Sequence, residues 1–167
     1  GEERAWYAYN YRSNGTSIKE TTIYTYETGG TRETERMTES NTYKDEVPAE
    51  NINAPVVLTN PLQSTTHYYL DDTGDTQKIF KGDEIADYTH DYKTGRDSYY
   101  FYSDTQGAAG DRAEDADVDM QMSRSAISRS SAFDEANLRS ETFYNLNGTK
   151  GEERAWYAYN YRSNGTS

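Results

Sequence analysis

Ala5-Trp6-Tyr7-Ala8-Tyr9-Asn10-Tyr11, the turn pair Asn14-Gly15, and Ile18-Lys19-Glu20-Thr21-Thr22-Ile23-Tyr24-Thr25-Tyr26 decide the fold. Both flanks are rich in aromatic and β-branched residues, which suit a pleated, half-buried surface. Asn-Gly between them supplies the two positive φ angles of a type I′ turn, so the stretch predicts a β-hairpin. A two-residue loop sets Tyr11 opposite Ile18, Tyr7 opposite Thr22 and Trp6 opposite Ile23. Successive side chains in a strand point to opposite faces, which places Ala5, Tyr7, Tyr9 and Tyr11 together and Trp6, Ala8 and Asn10 behind them. A second loop at Gly29-Gly30 sets Glu27 against Arg32 and Tyr24 against Glu35. One face is aromatic, so the sheet packs on something.

Working outward, the same unit recurs: an aromatic cluster followed by a glycine-bearing turn. Its instances are Tyr9-Asn10-Tyr11 with Gly15, Tyr24-Thr25-Tyr26 with Gly29 and Gly30, and Tyr68-Tyr69-Leu70 with Gly74. His90-Asp91-Tyr92 with Gly95, Tyr100-Phe101-Tyr102 with Gly107, and Phe143-Tyr144 with Gly148 continue it. The pattern resembles the tyrosine-aspartate (YD) hairpin repeats of Rhs-type proteins, with Tyr-Asp mostly replaced by Tyr-Asn, Tyr-Glu or Tyr-Lys. That resemblance implies a shell or fibre of successive hairpins in a long spiralling sheet. Nothing in the chain matches the family's autoproteolytic core or toxin domain. The expected fold is all-β: stacked antiparallel β-hairpins forming a repeat or solenoid-like module, with one short helical segment.

Two stretches depart from the pattern. Val47 to Leu62 holds Pro48, Pro55 and Pro61 around Val56-Val57-Leu58 and reads as an irregular crossing with one brief buried strand, because proline removes ladder donors. Ala108 to Arg139 fits both alternation, at Val118, Met120 and Met122, and helical spacing, at Ala113, Ala116, Met120 and Ile127. Ser131 and Asp134 before Leu138 mark a short capped helical turn there.

Gly1 to Ser17 and Gly151 to Ser167 are identical, leaving 150 residues of unique sequence. A tandem array with a 150-residue period, an engineered donor strand and a cloning accident would each produce this. The junction favours the array: Phe143 to Tyr159 reads as strand, turn and strand, so the second copy has its partner upstream and the first has its partner downstream. Residues 1–150 are then one repeat module and 151–167 the start of the next. Trp6, Tyr7, Tyr9 and Tyr11, with their equivalents Trp156, Tyr157, Tyr159 and Tyr161, form the module junction.

Composition supports an architectural role. Leu, Ile, Val and Phe together number only 19 and the net charge is -12, a balance that leans toward disorder until the 17 tyrosines are counted. Tyrosines bury broad faces while keeping their hydroxyls wet. The duplicated segment carries Glu2, Glu3, Arg4 and Arg12 and is neutral, so the acidity belongs to the rest of the module. An acidic chain repels nucleic acid, and no run of about 18 apolar residues exists for membrane insertion. There is no cysteine for disulfides or thiolate metal sites.

Chemistry-bearing motifs are sparse, which argues against an enzyme and against any cofactor. His67 and His90 read as cross-strand partners. Asp115, Asp117 and Asp119 alternate and would share one face of a strand, but lack the glycine and glutamate of a calcium loop and fit a solvated acidic face. Asp71, Asp72 and Asp75 around Gly74 are turn residues. Asn14, Asn147 and Asn164 match the glycosylation pattern and equally the Asn-Gly hairpin turn. Recurrent tyrosines also suit a glycan-binding or adhesin surface, the competing reading. The expected function is a structural module of an extracellular or cell-surface filament, with neighbouring repeats as its partner.

Overall fold

The computed structural model describes residues 4–29, 34–52, 58–70 and 81–162. The fold is all-β. Among the described residues ten strands join in one antiparallel sheet: β1 (Tyr7–Tyr11), β2 (Ile18–Tyr26), β3 (Met37–Lys44), β4 (Leu62–Tyr69), β5 (Ile85–Asp91), β6 (Arg96–Ser103), β7 (Asp111–Arg112), β8 (Gln121–Ser128), β9 (Leu138–Asn145) and β10 (Arg154–Asn160). The chain lays them side by side in sequence order, except that the two-residue β7 pairs with β6 off the main path. Among the described residues a helical turn, α1 (Ala49–Ile52), and a 3-10 turn at Glu135–Asn137 complete the elements.

The hairpins follow the aromatic-and-glycine units. Gly15, Gly29 and Gly95 stand with positive φ in the connections β1–β2, β2–β3 and β5–β6, and Gly107 follows β6 in the same conformation. The first turn is not the expected type I′, because only Gly15 of the Asn14-Gly15 pair has positive φ: Gly15 N donates to Arg12 O at 2.9 Å, Arg12 N donates to Ser17 O at 2.8 Å, and the Asn14 side-chain oxygen accepts from the amides of Thr16 and Ser17. Gly110 is required for a second reason: a Cβ there would lie 2.5 Å from Ser123 Oγ and 2.9 Å from the Tyr102 carbonyl.

Because the sheet is one layer thick, most strand residues are half-buried and few are sealed. Ladders of small polar side chains hold the strands together. Thr22 meets Thr42 at 3.2 Å, Thr66 meets Thr89 at 2.7 Å, and Thr89 meets the Tyr100 hydroxyl at 2.8 Å. Such pairs contribute roughly 0.2–1 kcal/mol each. Two compact clusters supply the apolar burial. Phe101, Ala126 and Leu138 gather Tyr99, Phe133 and Tyr161, while Ile85, Tyr102 and Ala113 gather Tyr69, Tyr100, Met120 and Met122. Tyr102 donates from its hydroxyl to the Ala86 carbonyl at 2.6 Å, which satisfies the one polar atom its burial would otherwise strand.

Register is where the sequence reading needs correction. Tyr11 does face Ile18, but a bulge between Asn10 and Tyr11 moves Tyr7 opposite Ile23 and Ala8 opposite Thr22. The extra residue sits on β2, so a loop-based count slips by one beyond it. Tyr24 pairs with Ser40, not Glu35, because the β2–β3 connection is longer than two residues; Glu27 binds Arg36, and Arg32 lies outside the described residues. Val56-Val57, Gly74 and its neighbouring aspartates lie outside the described residues. The ambiguous 108–139 stretch resolves into β7, turns and β8, with Asp134, rather than Ser131, capping the 3-10 turn through Ala136 N at 3.0 Å.

Candidate assembly edges

Identical strands occupy the two ends of the sheet. β1 belongs to the first seventeen-residue copy and β10 to the second, and among the described residues neither has a neighbour on its outer side. The eight predicted junction residues therefore divide, four to each edge.

β1 is held by β2 and by the segment after β3. Asp45, at φ 61°, turns the chain back over the sheet. Val47, fully buried, donates its amide to Thr21 Oγ1 at 2.9 Å, and that hydroxyl donates to the Asp45 carbonyl at 3.0 Å. Tyr9 then donates to the Val47 carbonyl at 2.9 Å. At one end of the strand Arg4 pairs with Glu35 and lies over the Tyr26 ring, 4.5 Å from its centroid. At the other, Arg12 meets Asp45 at 2.9 Å. Burial raises the Tyr9 hydroxyl above the usual tyrosine pKa.

β10 is held by β9 and by a buried charge cluster. Tyr157 stacks on Phe143 with ring centroids 4.8 Å apart, a geometry that contributes roughly 0.5–1.5 kcal/mol beyond its burial. Arg124, 3% exposed, reaches Glu135 at 2.7 and 2.8 Å and the buried Glu141 at 3.2 Å, with Phe101 beneath its guanidinium at 4.2 Å. Tyr161 donates to the other oxygen of Glu141, and this bond, with burial, pushes its hydroxyl pKa up to about 12. The bonds from Arg124 hold Glu135 below the usual carboxylate range. Arg129 donates to the carbonyls of Tyr161 at 2.7 Å and Arg162 at 2.9 Å. The turn before β10 is braced from outside, Gln106 bonding Tyr144 O and Leu146 N, and Gln121 bonding Gly148 O.

Exposure of the two copies is complementary. Tyr11 is 55% exposed while its equivalent Tyr161 is half-buried, and Tyr159 is 48% exposed while its equivalent Tyr9 is half-buried. Arg4 is half-buried and Arg154 exposed. Trp6 and Trp156 are open in both, at 45% and 55%.

The remaining candidates take ordinary places. His90 meets Asp97 at 2.6 Å, and His67 meets Glu39 at 3.2 Å while stacking on Tyr88. Asp115 and Asp119 lie in turns around Asp117, so the three do not line one face of a strand as their alternation suggests. No group of metal-ligating side chains is found among the described residues. Asn14 and Asn147 are exposed at hairpin tips and Asn164 lies outside the described residues. No helix among them is long and apolar enough to cross a membrane. Sequence reasoning missed the groups that grip the edges, namely Val47, Arg124, Arg129 and Glu141. No family model matches the chain, and no curated protein or solved structure does either.

Proposed function

We propose that this chain is a structural repeat module of an extracellular filament or cell-surface fibre, joined head to tail through its duplicated strand. Residues 1–150 are one repeat and 151–167 open the next. The observation that carries the reading is the placement of two identical strands at the two open edges of one sheet. A protein that ends at its own sheet edges blunts them with proline, lysine or covering segments, because unpaired backbone invites another strand. β1 and β10 contain no proline or lysine and instead leave Trp6, Tyr11, Trp156 and Tyr159 open. The neutral strand between acidic bodies lowers the repulsion at each junction. Hairpins lying side by side also fit the resemblance to tyrosine-aspartate repeats, and the role is mechanical.

Electron microscopy of the native material tests this. Eight strand-to-strand steps separate β1 from β10, and at about 4.8 Å per step one repeat advances the sheet by roughly 38 Å along its hydrogen-bonding direction. Filaments with that repeat and unbroken density from Thr149 to Arg154 are expected. Discrete particles, with saturable sugar binding by one isolated module, would replace the fibre with a carbohydrate-binding surface.

A further inference from the structure

We infer that a single copy of the seventeen-residue strand completes two sheets at once, lying between β9 of one module and β2 of a second copy of this module. The inference rests on the filament reading and specifies its junction. In an antiparallel ladder a residue directs its N–H and C=O to one side and the next residue to the other. In the first copy, Trp6 O accepts from Tyr24 N at 3.0 Å and Arg12 N donates to Ser17 O at 2.8 Å. Positions 6, 8, 10 and 12 thus address β2, which carries the bulge, and leave the phase of β1 unbroken. In the second copy Tyr161 N donates to Arg139 O at 2.9 Å, and the ladder runs back through Tyr159 and Tyr157. These are the equivalents of positions 11, 9 and 7. Over positions 7 to 11 one copy uses the even positions and the other the odd, so there the two neighbours claim opposite edges of the same strand; before them β10 bulges at Trp156 and Arg154 pairs with Asn145, so the shared stretch begins at position 7.

Three further features agree. Every pairing along the path is antiparallel, and eight is an even number of steps, so β1 and β10 run in the same direction and one strand can stand in for both. The tyrosines at 7 and 9 face Ile23 and Thr21, their equivalents face Phe143 and Glu141, and the register carries both sets to one side of the sheet. The side chains do not compete: Arg4, the Tyr9 hydroxyl and Arg12 serve the β2 side, while the Tyr157 ring and Tyr161 hydroxyl serve the β9 side. The shared acceptor is the carbonyl of Arg12, which takes Gly15 N in one copy, while its equivalent in Arg162 takes Arg129 in the other; a carbonyl has lone pairs for two donors. Two edges merely abutting would instead set identical strands parallel and leave Tyr11 and Arg154 open.

Residue-resolved amide hydrogen exchange tests the shared strand, first on the 167-residue chain and then on one extended by a further 150-residue period. In the first, Ala8 and Asn10 should exchange slowly and Tyr9 quickly, while Tyr157, Tyr159 and Tyr161 are slow and Ala158 fast. In the extended chain every amide from Tyr157 to Tyr161 of the internal copy should be slow, by roughly a hundredfold or more relative to a free edge, because these groups then exchange only on opening. Protection at alternate positions alone in the internal copy would overturn the shared strand, even where micrographs show filaments. Loss of filaments with full protection retained would support the shared strand and remove the fibre. Ala158→Pro, placed in the internal copy, provides a second reading: it should release the following module's β2 and spare β9, and unchanged protection of β2 would overturn the inference.

Discussion

β1 and β10 share a sequence and differ in how they are held. β1 is gripped by backbone and hydroxyl groups around Val47, with its charged pairs at the strand ends, whereas β10 rests on a stacked aromatic pair and a buried arginine between two glutamates. A strand's environment, and not its own residues, therefore decides which of its tyrosines is buried. The economy of this arrangement is that nine positions, 4 to 12, carry two separable sets of contacts.

The largest difference between the two strands is expected at Arg124. Arg124→Leu leaves the buried Glu141 without its cation and should cost about 3–5 kcal/mol in urea unfolding, with exchange rising in β10 and unchanged in β1. On the other side, Thr21→Val strands the Val47 amide and the Asp45 carbonyl. It should cost about 1–3 kcal/mol and loosen β1 alone.

A reciprocal pair of tyrosine substitutions sharpens it further. Tyr161→Phe and Tyr9→Phe should each cost about 0.5–1.5 kcal/mol. Tyr11→Phe and Tyr159→Phe, the same changes at the same sequence positions of the other copy, should stay within about 0.5 kcal/mol. Equal effects in both copies would mean that the two grips are not distinct.

The smallest effect is in pH. Tyr161 has its folded pKa raised to about 12, so its contribution is complete below the ordinary tyrosine value near 10 and is lost as pH rises toward 12. Glu135, held low by Arg124, behaves oppositely: its contribution is complete above the ordinary carboxylate range and fades as pH falls through its lowered value. Exchange at β10 should rise at both extremes. Tyr161→Phe should remove the part of the alkaline response of β10 that Glu141 enforces, while Tyr9 on β1, whose pKa is raised mainly by burial, keeps its own.

Much of the fold was legible because it is local. Alternation and turn glycines identify hairpins without reference to distant residues, and Tyr11 opposite Ile18 follows from the turn alone. Register beyond the first bulge was not legible, since nothing in Lys19 or Glu20 announces an extra residue. The edge tyrosines could be found from the duplication, but their grips could not. Glu141 and Arg124 look like solvated strand residues in sequence, and only pairing across β8, β9 and β10 makes them interior. The buried arginine had one available signal, its place next to Ser123 in an otherwise weakly charged run from Gln121 to Ser128.

The even count of antiparallel steps also limits how such a sheet can change size. Adding a single strand would reverse the final edge relative to the first, and an identical sequence could no longer serve both ends. Adding a hairpin restores the direction, so insertions and deletions that keep the chain end-compatible come in pairs of strands, each pair lengthening the sheet by about 10 Å.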